Sequence, residues 1–271
     1  MHAVTPEADG LSKLLRPIRE APGSSAVFCD IDGTLAPIVE SAAEAAVPED
    51  AREVLRSLAD RYVLVGCLSG RAAEVAREIV GLDELTYIGN HGFERLLPEV
   101  GETQLDPAVA GQEHAAAGFL DHLDPAELDS AGLRVEDKGP IRALHWRGAK
   151  DEEGAEAKAR EIANDAVSRN LLPHWGRKVL EIRPALDLNK GAALAELLAE
   201  RRIANAVYGG DDRTDIDAFR RLRDLRAAGE LAAAVCVGVA SEEGPPELGD
   251  EADVMVDGTR GFLDMLRTLA S

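Results

Sequence analysis

The stretch Val27-Phe28-Cys29-Asp30-Ile31-Asp32-Gly33-Thr34-Leu35 decides how the chain is read. An apolar run of strand character ends at two carboxylates spaced i, i+2, and Gly33-Thr34 then turns the chain sharply. In an open α/β sheet, ligands bind beyond the carboxyl ends of the strands, so Asp30 and Asp32 are delivered to the expected crevice. Two acids this close repel each other unless a cation lies between them or one is protonated. The pair therefore fits Mg²⁺ with divided roles, Asp30 as nucleophile and ligand and Asp32 as acid and base.

Outward from this stretch, short apolar runs alternate with helical patterns. Strands are expected at 26–29, 62–67, 206–208, 232–239 and 254–256, and helices at 48–59, 71–80, 191–201 and 261–269. The alternation predicts a parallel sheet covered on both faces. The middle of the chain has another texture, with a helix over 107–121, strands at 133–136 and 141–146, a helix over 152–170 and a strand at 179–183. The expected fold class is α/β, a doubly wound parallel-sheet core formed by 1–103 and 185–271, with a smaller α+β cap domain inserted at 104–184. Leu11, Leu14, Leu15 and Ile18 are spaced for a short amphipathic helix.

Three further strand ends carry polar groups. Leu64-Val65-Gly66-Cys67-Leu68-Ser69-Gly70-Arg71 runs from a strand into a hydroxyl and a helix start, where free N–H groups suit a phosphoryl oxygen. Asn189-Lys190-Gly191 places an ammonium at the head of a helix, within reach of a phosphate. Gly209-Gly210-Asp211-Asp212-Arg213-Thr214-Asp215 opens a strand into three carboxylates, a set that suits a hard cation. Each feature alone has an ordinary reading: Ser69 or Asp215 as a helix N-cap, Asp212 and Lys190 as solvated surface charges. Their convergence on one crevice favours chemistry.

The chain of 271 residues carries a formal charge of −20, which repels nucleic acid and obliges a phosphate site to supply its own positive charge. No apolar run reaches the length of about 18 residues that a membrane helix needs, and the start of the chain lacks the pattern of a secretory signal. Cys29, Cys67 and Cys236 lie in apolar runs without metal or redox spacing and read as buried free thiols of a reducing compartment. The expected location is the cytoplasm.

The four polar strand ends together resemble the haloacid dehalogenase superfamily of phosphotransferases, whose first motif, DxDGT, stands here as Asp30 to Thr34. The unit inserted between the second and third motifs looks like the cap of sugar phosphatases in that superfamily. Within it, the chain resembles the trehalose-6-phosphate phosphatase family over about 26–219. Asp30-Ile31-Asp32-Gly33-Thr34-Leu35-Ala36-Pro37-Ile38, Ser69-Gly70-Arg71 and Gly89-Asn90-His91-Gly92 carry the likeness in the first half. Glu136-Asp137-Lys138, Ala143-Leu144-His145, Glu181-Ile182-Arg183-Pro184 and the segment from Gly210 to Asp215 carry it in the second. Leu188 stands where an aromatic residue is frequent, and Ile216 where an acid usually follows Asp215.

The resemblance implies Mg²⁺-dependent hydrolysis of a small-molecule sugar phosphate, trehalose 6-phosphate, through an aspartyl-phosphate on Asp30. Asp32 and Lys190 would complete the catalytic set. The metal would be held by the Asp30 side chain, the Asp32 main-chain carbonyl and Asp211, with Asp215 and Asp212 ordering its waters or serving as outer ligands. Phosphoryl oxygens would bind Gly33, Thr34, Ser69, Gly70 and Lys190, in part through the N–H groups of the turn at 32–34. The sugar would meet Arg71, Asn90, His91, Lys138, Glu181 and Arg183. Arg183 has the alternative of bracing the cap sheet, and His145 reads as structural. A phosphatase for a glycosyl phosphoglycerate or a hexose phosphate is the rival within the superfamily, and a mutase a second one.

Overall fold

A computed structural model describes residues 8–39, 44–241 and 244–271. Among these residues the strands are β1 Ser25–Cys29, β2 Leu64–Leu68, β3 Thr86–Gly89, β4 Glu94–Leu96, β5 Thr103–Leu105, β6 Arg134–Lys138, β7 Ile141–His145, β8 Leu171–Gly176, β9 Val179–Pro184, β10 Asn205–Gly210, β11 Ala233–Ala240 and β12 Val254–Asp257. The α-helices are α1 Ala8–Glu20, α2 Glu49–Arg61, α3 Ala73–Val80, α4 Ala115–Leu120, α5 Pro125–Ser130, α6 Glu152–Ser168, α7 Lys190–Glu200, α8 Arg213–Ala227, α9 Leu248–Glu251 and α10 Gly258–Ala270. The chain divides into two compact units, Met1–Gln104 with Leu188–Ser271, and Leu105–Asp187.

The first unit is built on a sheet ordered β12-β11-β10-β1-β2-β3-β4-β5. From β12 to β3 all neighbours are parallel, and β4 runs antiparallel to β3. β1 shows why the sheet needs cover on both faces. Its five residues are all buried, with Val27 and Cys29 in one apolar cluster and Ala26 and Phe28 in another. Period-two alternation thus splits one short strand between two cores. The first core includes Leu55 and Leu58 of α2 with Phe262 and Leu266 of α10; the second includes Leu194 and Leu198 of α7 with Phe219 and Leu222 of α8.

From β1 the chain winds outward through β2 and β3. It re-enters the sheet at β10, on the other side of β1, and winds away through β11 and β12. The winding reverses at β1 and β10, which is where an open sheet leaves a crevice. α1 buries Leu15 and Ile18 in the first core while Leu14 stays exposed, so the amphipathic stripe is narrower than the leucine spacing predicts.

The second unit is an antiparallel sheet ordered β6-β7-β9-β8. Leu144, Leu180 and Ile182 on one face join a core with Phe119 of α4, Leu128 of α5 and Ile162 of α6. The expected continuous helix over 107–121 does not form. A 3₁₀ turn at Pro107–Val109, capped by Asp106 through the N–H of Ala108 at 2.8 Å, stops before Gly111, whose φ of +81° is not helical, and α4 begins only at Ala115; Asp124 caps α5 through the N–H of Ala126 at 2.9 Å. β8 is absent from the sequence expectation; it carries Pro173 and lies at the sheet edge, where a proline is tolerated.

Candidate active site

The ends of β1 and β10 and the first turns of α7 and α8 bring Asp30, Asp211, Lys190 and Asp215 together. The Asp30 N–H donates to the Gly209 carbonyl at 2.8 Å, which prolongs the β1–β10 pairing and fixes where its side chain leaves the sheet. Lys190 Nζ donates to Asp30 Oδ1 at 2.6 Å and to Asp215 Oδ1 at 2.7 Å. All four residues are buried. One carboxylate oxygen from each of Asp30, Asp211 and Asp215 lies within 4.8 Å of the others. Three buried acids face one ammonium, and that unbalanced charge together with an all-oxygen donor set fits a hard divalent cation such as Mg²⁺.

The electrostatics follow from burial. It raises the Asp30 carboxyl well above its usual range, against the pull of Lys190, while Asp215 and Asp211 add to the rise. For Lys190, burial disfavours the charge, but Asp215 and Asp30 outweigh it and hold the ammonium well above its ordinary value. Burial pushes Asp215 up to about 6 in spite of Lys190. Burial also opposes ionisation of Asp212, yet Lys190 and the Thr214 hydroxyl prevail and keep that carboxyl below its usual range.

The turn after β1 is shaped by Gly33. Its φ of +91° is one that side chains rarely adopt, and a Cβ there would lie 2.3 Å from Asp211 Oδ2. The absent side chain thus lets Asp211 approach the turn. The N–H of Gly33 donates to Ala36 O at 2.8 Å and that of Thr34 to Ile31 O at 3.3 Å. Both N–H groups that the sequence reading assigns to phosphoryl oxygens are thus engaged within the turn in this structure. The Thr34 hydroxyl points to Asp211 Oδ1 at 3.4 Å.

Asp32 and Arg71 meet in a bidentate pair, Nε to Oδ2 and Nη2 to Oδ1, each at 2.7 Å. Both oxygens of Asp32 are thereby engaged by a residue expected to touch the sugar. Ser69 is buried at the end of β2, and its Oγ accepts from the Arg71 N–H at 3.1 Å. Asn90 and His91 lie next to this segment: the Asn90 N–H donates to Arg71 O at 2.7 Å and the His91 N–H to Ser69 O at 3.0 Å. Both residues have positive φ, 49° and 57°, a strained conformation that this paired backbone maintains. The ring of His91 sits against Gly70, where a Cβ would come within 2.6 Å of its Nε2.

Asp212 turns to the helix instead. It is the N-cap of α8 and accepts from the N–H groups of Thr214 and Asp215 at 2.7 and 3.1 Å. Asp215 completes the reciprocal box by accepting from the Asp212 N–H at 2.9 Å. Tyr208, which reads in the sequence only as strand filler, donates from its hydroxyl to Asp215 Oδ1 at 2.6 Å. The available signal is an aromatic hydroxyl two residues before Gly210, flanked by the small and aliphatic Ala206, Val207 and Gly209.

On the second unit, register places Glu136, Ala143, Glu181 and His174 in one row across β6, β7, β9 and β8. Lys138 Nζ donates to Glu181 Oε1 at 2.6 Å, and the Arg183 guanidinium donates through both Nε and Nη2 to Glu181 Oε2. Glu181 therefore bridges two cations. Glu136 Oε2 pairs with His145 Nε2 at 2.7 Å, which gives His145 a structural bond.

The family model for trehalose-phosphatase matches residues 28–245. Trehalose 6-phosphate phosphatase RA3 of Zea mays is 36% identical over 217 residues, covering 73% of this chain and 59% of the maize protein. Probable trehalose-phosphate phosphatase D of Arabidopsis thaliana is 33% identical over 210 residues, with 73% and 57% covered. The chain thus spans less than two thirds of the length of these relatives. The C-terminal domain of C. albicans trehalose-6-phosphate phosphatase superposes with a TM-score of 0.77 at 20% identity, covering 100% of this chain and 99% of that one. At that identity the likeness speaks for the fold.

Proposed function

We propose that this chain, which belongs to the trehalose-phosphatase family, hydrolyses trehalose 6-phosphate to trehalose and inorganic phosphate through an aspartyl-phosphate on Asp30. The observation that carries the reading is the buried group of Asp30, Asp211 and Asp215 around Lys190 at the switch point of the sheet. Asp30, the Asp32 carbonyl and Asp211 would hold Mg²⁺, and the bound cation supplies neutralisation of phosphoryl charge.

The rest of the work belongs to the chain's own groups. Asp30 attacks phosphorus as the bond to the sugar oxygen breaks, and Asp32 gives that oxygen its proton. Water then attacks the aspartyl-phosphate, Asp32 takes the water proton, and the bond from phosphorus to Asp30 breaks to release phosphate. Lys190 and the Ser69 hydroxyl bind phosphoryl oxygens during both steps. For Asp32 to exchange its proton, Arg71 must release at least one of the oxygens it now holds. Lys138, Glu181 and Arg183 read as hydroxyl partners for the sugar. The three cysteines are free and buried, which supports a reducing compartment such as the cytoplasm; among the described residues no helix is long and apolar enough to cross a membrane.

The test is phosphate release with Mg²⁺ over a panel of trehalose 6-phosphate, hexose 6-phosphates and glycosyl phosphoglycerates. The expected outcome is highest kcat/KM on trehalose 6-phosphate with one phosphate per ester consumed. A preference for another ester would move the chain to a different substrate, and no release from any would sink the reading.

A further inference from the structure

The carboxylate of Asp215 is filled by donors of this chain. Oδ1 accepts from Lys190 Nζ at 2.7 Å and from the Tyr208 hydroxyl at 2.6 Å. Oδ2 accepts from the N–H groups of Asp211 at 2.8 Å and Asp212 at 2.9 Å. An ionised carboxylate offers about four lone-pair sites, so these donors occupy them.

We infer that Tyr208 is a positioning residue for the phosphoryl-binding ammonium, acting through Asp215, and that Asp215 braces Lys190 instead of ligating the metal. This rests on the reading of Asp30 as the group that carries the phosphoryl. An ammonium has three N–H bonds. Lys190 spends one on Asp30 and one on Asp215, and two fixed acceptors leave the third N–H a single direction. With one anchor it would swing about the remaining bond. Asp215 is therefore as important for where it stands as for its charge.

Three local features hold Asp215 in place. The capping box with Asp212 ties its backbone and Oδ2 to the first turn of α8. Gly210 leaves room, because a Cβ there would lie 2.2 Å from Asp215 Cγ. The third is the Tyr208 hydroxyl. Tyr208 is fully buried, and its ring packs edge-on to Phe219 with centroids 5.9 Å apart. The ordinary reading is a core aromatic whose hydroxyl takes the nearest acceptor. Against it stands the acceptor chosen: the same Oδ1 that receives Lys190, so that the hydroxyl fixes the oxygen the ammonium leans on.

Tyr208→Phe keeps the ring and removes only the hydroxyl. In the Mg²⁺-loaded protein, kcat should fall about tenfold on trehalose 6-phosphate and equally on p-nitrophenyl phosphate, with KM within about twofold. Affinity for beryllofluoride, a mimic of the phosphoryl group on an aspartate, should weaken by a similar factor, and calorimetric Mg²⁺ affinity should stay unchanged. In an Asp215→Asn background Tyr208→Phe should have no further effect on beryllofluoride. Asp215→Asn should retain Mg²⁺ affinity where Asp211→Asn loses it. A variant with lowered melting temperature but parental kcat and beryllofluoride affinity would make the hydroxyl purely structural and overturn the inference. So would equal Mg²⁺ losses for Asp215→Asn and Asp211→Asn, or additive losses in the double variant. A parent that binds beryllofluoride but hydrolyses no sugar phosphate sinks the proposed substrate and leaves Tyr208 to be judged on beryllofluoride alone; a parent that binds none overturns both.

Discussion

The two polar networks of this chain are assembled in opposite ways. In the first unit, Asp30, Lys190, Tyr208 and Asp215 come from three segments, joined because the parallel strands β1 and β10 end where the helices α7 and α8 begin. In the second unit, Lys138, Glu181 and Arg183 lie on two strands that both flank β7, and strand register alone aligns them. The first network is buried, and each oxygen of Asp215 has named donors; the second is a bridge of one carboxylate between two cations. Changes in the first should therefore act on every substrate, and changes in the second on the sugar.

The largest expected effect is Asp30→Asn, which removes both the attacking oxygen and a metal charge. Turnover of trehalose 6-phosphate and of p-nitrophenyl phosphate should both fall by several orders of magnitude with the circular dichroism unchanged. Retention of more than a tenth of parental activity on either ester would break the contrast at its strongest point.

Lys190→Met probes the same network through stability. It leaves Asp30 and Asp215 buried without their shared cation, a loss of about 3–5 kcal/mol for a broken buried pair. Urea titration of the metal-free protein should show it, and added Mg²⁺ should recover part of it. A loss under about 1 kcal/mol, the size of an exposed pair, would mean that water already screens the centre.

These residues differ in how far the sequence announces them. Asp30, Lys190 and Asp211 each stand at an abrupt end of an apolar run or the head of a helix, and that discontinuity is legible in one dimension. The partner of Asp32 is not, because Arg71 reaches it from the end of the neighbouring strand, 39 positions away. Tyr208 hides for a different reason: its ring satisfies the strand pattern, and only the fold reveals which acceptor its hydroxyl meets. α8 is masked in the sequence by its charged residues, and its apolar stripe of Ile216, Phe219 and Leu222 begins directly after the three carboxylates. In the second unit, the row from Glu136 to His174 depends on the pairing of β8, an edge strand whose proline conceals it.

A smaller effect separates the units. Glu181→Gln weakens the bridge to Lys138 and Arg183, and Lys138→Ala removes one end of it. Each should cost about 1–3 kcal/mol, roughly 5- to 150-fold, in kcat/KM on trehalose 6-phosphate, and far less on p-nitrophenyl phosphate, which has no sugar. Because the two residues share one bond, the double variant should lose less than the sum of the singles. Equal losses on both esters would assign the bridge to the fold and erase the division of labour between the networks.

The smallest effect comes from Glu136, on the same face but outside that bridge. Its bond to His145 lowers its carboxyl below the ordinary value of 4.5, with burial opposing and Lys138 assisting. An acid whose folded value is depressed adds stability above its unfolded value and loses it as pH falls through the folded one. The contribution is therefore present at neutral pH and fades below about pH 4.5. The side chain is 53% exposed, so solvent screening limits the pair to at most about 0.5 kcal/mol. Glu136→Gln should lower the melting temperature by about 1–2 °C near neutral pH, and the difference should vanish near pH 3. A difference that persists undiminished in acid would show that Glu136 acts through packing rather than charge. One that exceeds about 5 °C would place it in a tighter network, like the buried one around Asp30.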